Sequence, residues 1–506
     1  MAIAAVTLTP ATTESGGALE PGTPDAVLKD TAYPIPAGAV FVATNGADAA
    51  AGTASAPLRT LARAVEKAPS GGTVVLQAGV YREGGIHLDK RLTLQPAPHA
   101  RVWLSGADVV RSWVRDGSGW RSTDWTSPLC QNCYPAGAVD PAYPTAGLPD
   151  QVRRDGVAGR RVGSRAEVTR GTFFVDPSSR ALYVGDDPRA ALVEASSRWL
   201  ALQADPGAAG SVIRGLGFSS FAPHWNQDQL AQVIIDAPGS VVADSTFTTS
   251  SGCGLGVFAP DVTVAGNAVV GNGGAGGCFN RADRLVVRSN LFNGNNARHF
   301  RVGDCGSYCT MAGLKITHSA SVVVENNSFS GNDGHGLWCD EGCTEGTVRG
   351  STASGNTGAG LYWEVSSQVV VSRNTLSGNR IGMKISGADH VTVTGNAFIG
   401  NVIQLGMYDD ARSAWSDAYS AGHGLSWDTT VTAIMGNSFA GGDRTSMLLD
   451  TNATAQVNAG QMLSHAGGNT ASGATAVRWC PGTCKRYATL AAFMDATGIP
   501  FGTTAG

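Results

Sequence analysis

Two acidic residues, Asp340 and Glu364, end two segments of closely similar pattern. The first segment is Gly336-Leu-Trp-Cys-Asp340, and the second is Gly360-Leu-Tyr-Trp-Glu364. If the fold brings the two carboxyl groups together, they cannot both ionise easily, so the pKa of one rises while that of the other stays low. One acid and one anion at neutral pH are what the hydrolysis of a glycosidic bond requires.

The elements that would position this pair recur along the chain. Segments of the same pattern start at Gly313, Gly336, Gly360 and Gly382, at intervals of 23, 24 and 22 residues. A period near 23 residues, built from strand-length pieces, indicates a solenoid. The framework of leucine-rich repeats is absent, so we predict an all-β fold, a right-handed parallel β-helix. Asparagines recur at the turns and suit bonding between coils: Asn267, Asn290, Asn326, Asn374 and Asn396.

Side chains alternate between the two faces of a strand, and this assigns the repeated positions to the interior or the exterior. The interior columns are Leu314, Leu337, Leu361 and Met383, and Ile316, Cys339, Trp363 and Ile385. The exterior columns are Lys315, Trp338, Tyr362 and Lys384, and Thr317, Asp340, Glu364 and Ser386. Consecutive coils lie about 4.8 Å apart, so we expect Asp340 and Glu364 to project side by side from one face. That spacing favours a retaining double displacement over inversion.

Other polar and aromatic residues on or near this face are candidates for substrate binding. They are Lys315, His335, Trp338, Tyr362, Lys384, Tyr408 and Asp409. The two aromatic rings of the exterior column would stack against sugar rings, and its two lysines would bind hydroxyl groups or a substrate carboxylate. Asp409 could complete the cleft or belong to a solvated turn, and His335 is either a turn residue or a ligand of the substrate.

The Asp340 and Glu364 segments resemble the paired-carboxylate region of β-helix glycoside hydrolases such as the β-xylosidases. In that family an Asp after a Gly-aliphatic-Trp segment is the nucleophile, and a Glu before Val-Ser, one coil on, is the acid/base. The resemblance therefore implies Asp340 as nucleophile and Glu364 as acid/base. It covers two short strands. A broader resemblance, to secreted pectate-lyase-like β-helix proteins, covers the N-terminal block that starts at Phe41.

Composition restricts the class of protein. Only 15% of the 506 residues are charged, 67 are glycine, and the net charge is −4 without a Lys/Arg run, so a nucleic-acid partner is not expected. No uninterrupted apolar stretch of about 18 residues is present, so no membrane span is predicted. The ten cysteines, mostly in close pairs, favour disulfides and a secreted, extracellular protein. Zinc is the alternative, because Cys130 and Cys133 have metal-ligand spacing.

The sequence divides into five regions. We predict a leader or extended N-terminus over 1–34, an N-terminal cap and first coils over 35–106, and an inserted β-rich lobe over 107–200. The main coils follow over 201–470 and a C-terminal closing segment over 471–506. A capping helix is expected over 58–68 and a closing helix near 487–498, and further insertions interrupt the repeat at about 296–311 and 411–430.

Three functions fit these features. The first is a retaining glycoside hydrolase that cleaves a polysaccharide or oligosaccharide with Asp340 and Glu364 and needs no metal or other cofactor. The second is a polysaccharide lyase or uronate epimerase, in which Lys315 or Lys384 is the base and a cation such as calcium neutralises the substrate carboxylate. The third is a carbohydrate-binding solenoid without catalysis, because a fold alone does not choose among these.

Overall fold

The computed structural model describes residues 28–131, 134–224, 230–303, 310–441, 447–473 and 476–504. Within them the chain winds into coils, and each coil adds one strand to each of three long sheets of 13 strands. Neighbouring strands in these sheets are parallel, except for the final pair Ala476–Trp479 and Lys485–Tyr487. The fold is the parallel β-helix that the 23-residue period predicts. Residues 1–27 of the predicted leader lie outside the described residues.

The strands of the three sheets follow one another in each coil in a fixed order. The first sheet contains Val40–Val42, Thr73–Leu76, Thr93–Pro96, Val212–Arg214, Val241–Ala243, Thr263–Ala265, Val286–Arg288, Val323–Glu325, Gly346–Arg349, Ser367–Ser372, Asp389–Thr394, Val431–Met435 and Leu463–Gly467. The second contains Gly79–Tyr81, Val102–Ser105, Gly217–Ser219, Thr246–Thr248, Ala268–Val270, Leu291–Asn293, Ser328–Ser330, Thr352–Ser354, Thr375–Ser377, Ala397–Ile399, Ser438–Ala440, Asn469–Ser472 and Gly502–Thr504. The third contains Ile86–Leu88, Leu202–Ala204, Ala231–Ile235, Cys253–Val257, Gly277–Asn280, Ala312–Thr317, His335–Asp340, Ala359–Glu364, Ile381–Ser386, Ile403–Tyr408, Met447–Thr451, Ala476–Trp479 and Lys485–Tyr487.

The interior of the β-helix is a continuous apolar core. Both predicted interior columns belong to it, from Leu314 to Met383 and from Ile316 to Ile385, and none of their side chains is more than 3% exposed. Phenylalanines of the second sheet stack between coils, as Phe292 does on Phe329 with 5.6 Å between ring centroids. Alternation along each strand therefore separates interior from exterior as the sequence predicts.

Buried asparagines form two ladders that run from coil to coil along the β-helix, at the bends between its sheets. The first ladder runs through Asn267, Asn290, Asn327, Asn374, Asn396, Asn437 and Asn469, and the second through Asn272, Asn295, Asn332, Asn356, Asn379 and Asn401. Where one asparagine follows another in a ladder, its side-chain oxygen accepts bonds from the preceding asparagine, as between Asn356 and Asn379 at 2.8 Å. The first ladder uses Asn327 and not Asn326, which has φ +56° and lies at the turn itself. Ser351 replaces an asparagine in that ladder.

Short helices lie at the ends of the β-helix and in one loop. They are α1 (Leu61–Lys67), α2 (Ala418–Gly422), α3 (Ala459–Met462) and α4 (Leu490–Thr497). Helix α1 is shorter than the predicted 58–68, because Thr60 caps its first turn and Pro69 disfavours helical geometry at the preceding residue. It covers the N-terminal end with its buried residues Leu61, Ala64 and Val65. Helix α4 ends at Gly498, which has φ +71°.

The predicted lobe consists of two small, mostly antiparallel sheets. One contains Ala107–Val109, Val152–Arg154, Val157–Ala158 and Val193–Ser196, and the other Trp113–Asp116, Gly119–Thr126, Arg160–Arg161, Thr172–Val175 and Ala181–Val184. The lobe has its own apolar core around Trp120, Phe173 and Leu182. The half-buried Arg298 joins it to the β-helix by donating to four lobe carbonyl groups, those of Ala146, Leu148, Pro149 and Asp150.

Cysteines of the described residues form disulfides, as the sequence predicts, and three such pairs lie wholly within those residues. They join Cys253 to Cys278, Cys339 to Cys343 and Cys480 to Cys484. Cys130 is also disulfide-bonded, while Cys133, Cys305 and Cys309 lie outside the described residues.

Among the described helices, none has both the length and the apolar character needed to cross a membrane.

Candidate functional site

Asp340 and Glu364 are neighbours on the outer face of the third sheet. Trp338 is paired with Tyr362 and Cys339 with Trp363, so the next residues on these strands, Asp340 and Glu364, lie side by side. Their exposure is low, 5% and 9%, and each carboxyl group is in contact with a cation, Lys315 at Asp340 and Arg412 at Glu364. The geometry expected from the 24-residue spacing is therefore present.

The exterior column beside the pair forms a continuous stack. The rings of Trp338 and Tyr362 lie 5.4 Å apart at an angle of 12°. The Lys315 Nζ lies 3.8 Å from the centroid of the Trp338 ring, and the Lys384 Nζ lies 4.1 Å from that of Tyr362. Both rings are only 4% exposed, so they are not the open platforms for sugar rings that we expected from the sequence. The ring faces contact residues of the neighbouring coils. The polar groups of the two rings, the Trp338 N–H and the Tyr362 hydroxyl, lie at the ring edges.

Glu364 has both of its carboxyl oxygens bound. The indole N–H of Trp338 donates to Oε2 at 2.9 Å, and the Arg412 guanidinium donates to Oε1 at 2.5 Å. Burial and the nearby Asp340 carboxylate raise the pKa of Glu364 above its usual value, although Arg412 and Lys384 act in the opposite direction. A carboxyl group with a raised pKa beside a second carboxylate is suited to donate a proton at neutral pH.

Asp340 is bound on one oxygen only. The Lys315 Nζ forms a salt bridge with Oδ2 at 2.7 Å, and Lys315 lies in the preceding coil. Oδ1 is buried and accepts no hydrogen bond from any of the residues that the structure describes. Buried polar atoms normally have a partner, so the unbonded oxygen of Asp340 keeps an unused capacity to accept a hydrogen bond.

His335 begins the Asp340 strand and lies against the edges of both aromatic rings. Its ring centroid is 4.9 Å from that of Trp338 and 5.0 Å from that of Tyr362. Its Nδ1 accepts a hydrogen bond from the backbone N–H of Ala359 at 2.9 Å. Burial and the two lysines lower the pKa of His335 to about 3, so the ring is neutral at physiological pH and its proton is on Nε2.

The segment between the Ile403–Tyr408 and Val431–Met435 strands covers the C-terminal end of the site strands. Arg412 reaches back to Glu364 and is held by Asp410 at 2.7 Å. Trp415 follows on a short helical turn (Ala414–Ser416) and is 86% exposed. Arg412 could not be predicted from the sequence, because nothing in the repeat links an insertion to a residue 48 positions earlier.

Tyr408 and Asp409 lie further from the pair. Tyr408 is on the same outer face, two coils beyond Glu364 through Ser386, and its hydroxyl donates to Asp450 at 2.8 Å. The Asp409 carboxylate is turned away from the site, where it accepts bonds from the Thr429 N–H and the Thr454 hydroxyl. Asp409 thus fixes the start of the covering segment and does not reach the pair.

The opposite rim of the site is built by the 296–303 insertion and the lobe. His299 stacks on Tyr143 of the lobe, with 4.3 Å between ring centroids, and its Nδ1 lies 2.7 Å from Asp333 Oδ2. Asp333 precedes the Asp340 strand by two residues, so this contact places the lobe beside the site.

Among the described residues, no group of three or more His, Cys, Asp or Glu side chains could hold a metal ion.

Comparisons with known proteins agree with this fold. A family model described as a right-handed β-helix region matches residues 231–398. The solved structure of XylC in complex with xylose is 16% identical, with a TM-score of 0.58, and the match covers 86% of this chain and 84% of that one. The A-module of the mannuronan C-5 epimerase AlgE4 from Azotobacter vinelandii is 15% identical, with a TM-score of 0.48 and coverage of 86% and 91%. No curated protein sequence matches. The chain is a right-handed parallel β-helix protein.

Proposed function

We propose that this protein is a secreted carbohydrate-active enzyme, a retaining glycoside hydrolase that cleaves a polysaccharide or oligosaccharide. The observation that carries the proposal is the placement of Asp340 beside Glu364 on adjacent coils, with the pKa of Glu364 raised. Adjacent strands lie about 4.8 Å apart, which approaches the 5–5.5 Å between carboxyl groups that a double displacement needs. The disulfides support an extracellular location.

In the first step Asp340 attacks the anomeric carbon while the bond to the leaving oxygen breaks. Glu364 transfers its proton to that oxygen, and a glycosyl ester forms on Asp340. The free Oδ1 of Asp340 is the attacking atom, since Oδ2 is held by Lys315. The Trp338 N–H fixes the Glu364 carboxyl group in place for the transfer.

In the second step Glu364 acts as a base. Once ionised, it takes a proton from water, and the oxygen of that water attacks the anomeric carbon. The ester bond to Asp340 breaks, and the sugar leaves with its original anomeric configuration. Arg412 and Lys384 stabilise the ionised form of Glu364 during this step.

The test is a glycan panel in which product masses are read with and without EDTA. Hydrolysis adds one water per cut, and we expect Glu364→Gln and Asp340→Asn each to lower kcat by about 100-fold or more. Glu325→Gln is the matched control, because Glu325 forms a salt bridge on the first sheet, away from the site. Turnover that persists in both site variants would contradict the proposal.

A lyase or epimerase is the second candidate, favoured by one observation. Burial lowers the pKa of Lys384, which makes this lysine a better proton acceptor. In that reaction Lys384 removes the proton next to a uronate carboxylate. An unsaturated product that absorbs in the ultraviolet, formed without added water and lost in the presence of EDTA, would favour this candidate over hydrolysis.

A further inference from the structure

Lys384 is a mostly buried cation that forms no salt bridge with any carboxylate of the described residues, although the charges of Glu364 and Asp410 are near enough to favour its own. Its Nζ donates to the Tyr362 hydroxyl at 2.7 Å and lies over the Tyr362 ring. Among the described residues, no carboxylate oxygen lies within the 4.0 Å of its Nζ that defines a salt bridge. A buried ammonium group normally has a counter-charge, because burial removes the water that would stabilise it.

The other charges around the site are paired with one another. Lys315 is bound to Asp340, and Arg412 is bound to both Glu364 and Asp410. In the protonation state that the first step requires, Glu364 is neutral. Asp340 and Asp410 then balance Lys315 and Arg412, and the positive charge of Lys384 remains without a counterpart. A negative group on the substrate would provide it.

We propose that the substrate carries a uronic acid whose carboxylate binds Lys384. This inference rests on the proposed function, since it places the acidic sugar beside the Asp340–Glu364 pair. A carboxylate fits the site better than a hydroxyl group, because it supplies both a hydrogen-bond acceptor and the missing negative charge. The reaction remains a hydrolysis: the bond between the anomeric carbon and the leaving oxygen breaks, and the elements of water are added.

The experiment compares oligosaccharides that contain glucuronate or galacturonate with their carboxyl-reduced, neutral counterparts. We expect kcat/KM to be at least about 10-fold higher for the acidic member of a cleaved pair. Lys384→Gln should bring the ratio of the two kcat/KM values down to about 1, a loss of at least about 10-fold, because it removes one partner of a buried ion pair. Lys90→Gln, at a half-buried position of the N-terminal coils and far along the chain from the site, is the matched control and should leave the ratio unchanged.

The outcomes separate this inference from the proposed function. Equal cleavage of acidic and neutral members, lost in Glu364→Gln and with a ratio unaffected by Lys384→Gln, supports hydrolysis and overturns the uronate inference. An unsaturated product with a ratio that falls in Lys384→Gln supports uronate recognition and overturns hydrolysis. If no pair is cleaved, calorimetric titration of the same oligosaccharides into Glu364→Gln decides: binding of the acidic members alone supports the inference, and any other result overturns it.

Discussion

At the scale of single residues, the proton on Glu364 is under opposed influences. Burial and Asp340 favour the neutral acid, whereas Arg412 favours the anion. A retaining hydrolase needs both forms in turn, first an acid and then a base. The Trp338 N–H bond keeps the carboxyl group in the same position in both forms. Trp338 is therefore a positioning residue, and Arg412 adjusts the pH range of the reaction.

Replacement of Arg412 should move the pH profile in a defined direction. Arg412 lowers the pKa of Glu364, so Arg412→Gln raises it, and Glu364 stays protonated to higher pH. We expect the basic limb of the kcat/KM profile to move up by about one pH unit. Arg373→Gln, an exposed arginine at the corner between the first and second sheets, is the control. A basic limb that stays in place or moves down would contradict this assignment.

At the scale of elements, the turn after Asp340 is fixed by a disulfide. Cys339 and Cys343 enclose Asp340, and the Cys343 N–H donates to the Ser366 hydroxyl at 3.1 Å. The turn includes Glu341 with φ +49° and Gly342 with φ +93°. The disulfide thus limits the positions that the backbone of Asp340 can take.

Loss of this disulfide should lower kcat while the protein still folds. We expect the double variant Cys339→Ala/Cys343→Ala to lower kcat by about 100-fold, because small displacements of a reacting group have large effects. Cys480→Ala/Cys484→Ala is a matched control, since that disulfide has the same sequence separation of 4. Denaturant unfolding verifies that both variants fold. Equal kcat values for the two double variants would show that the Asp340 turn does not depend on its disulfide.

The asparagine ladders are the elements that hold the coils in register. The Asn379 side chain donates to the carbonyl group of Ala353 and to Asn401, and it accepts two bonds from Asn356. Asn379→Ala leaves buried partners without bonds and should lower the free energy of unfolding by about 2–4 kcal/mol. Ser377→Ala, a half-buried position in the same coil, should change it by about 0.5 kcal/mol or less. Denaturant unfolding measures both, and equal losses would argue against the ladder.

At the scale of the whole molecule, the repeat made most of the site predictable. A coil of fixed period places equivalent residues in columns, so the intervals of 22 to 24 residues were sufficient to bring Asp340, Glu364, Trp338 and the lysines to one face. The same column also predicts that the two aromatic rings are covered. Two rings between two lysines on successive coils stack on one another, so their faces are not free.

Residues outside the repeat could not be placed in this way. Arg412 reaches Glu364 from an insertion, and Asp409 turns away from the site because Thr429 and Thr454 bind its carboxylate. The lobe was predicted from its broken period, but its contact through Arg298 depends on carbonyl groups whose positions the sequence does not reveal. Long-range contacts of insertions are set by tertiary packing, which has no periodic signature.

The most direct measurement of the central claim is the trapping of a covalent intermediate. A 2-deoxy-2-fluoro glycoside with a good leaving group, matched to a sugar that the enzyme cleaves, slows the second step more than the first. We expect intact-mass spectrometry to show one added glycosyl group and peptide mapping to place it on Asp340, with no labelling of Asp340→Asn. A label on another residue, or turnover of an accepted substrate with inverted configuration, would contradict the account.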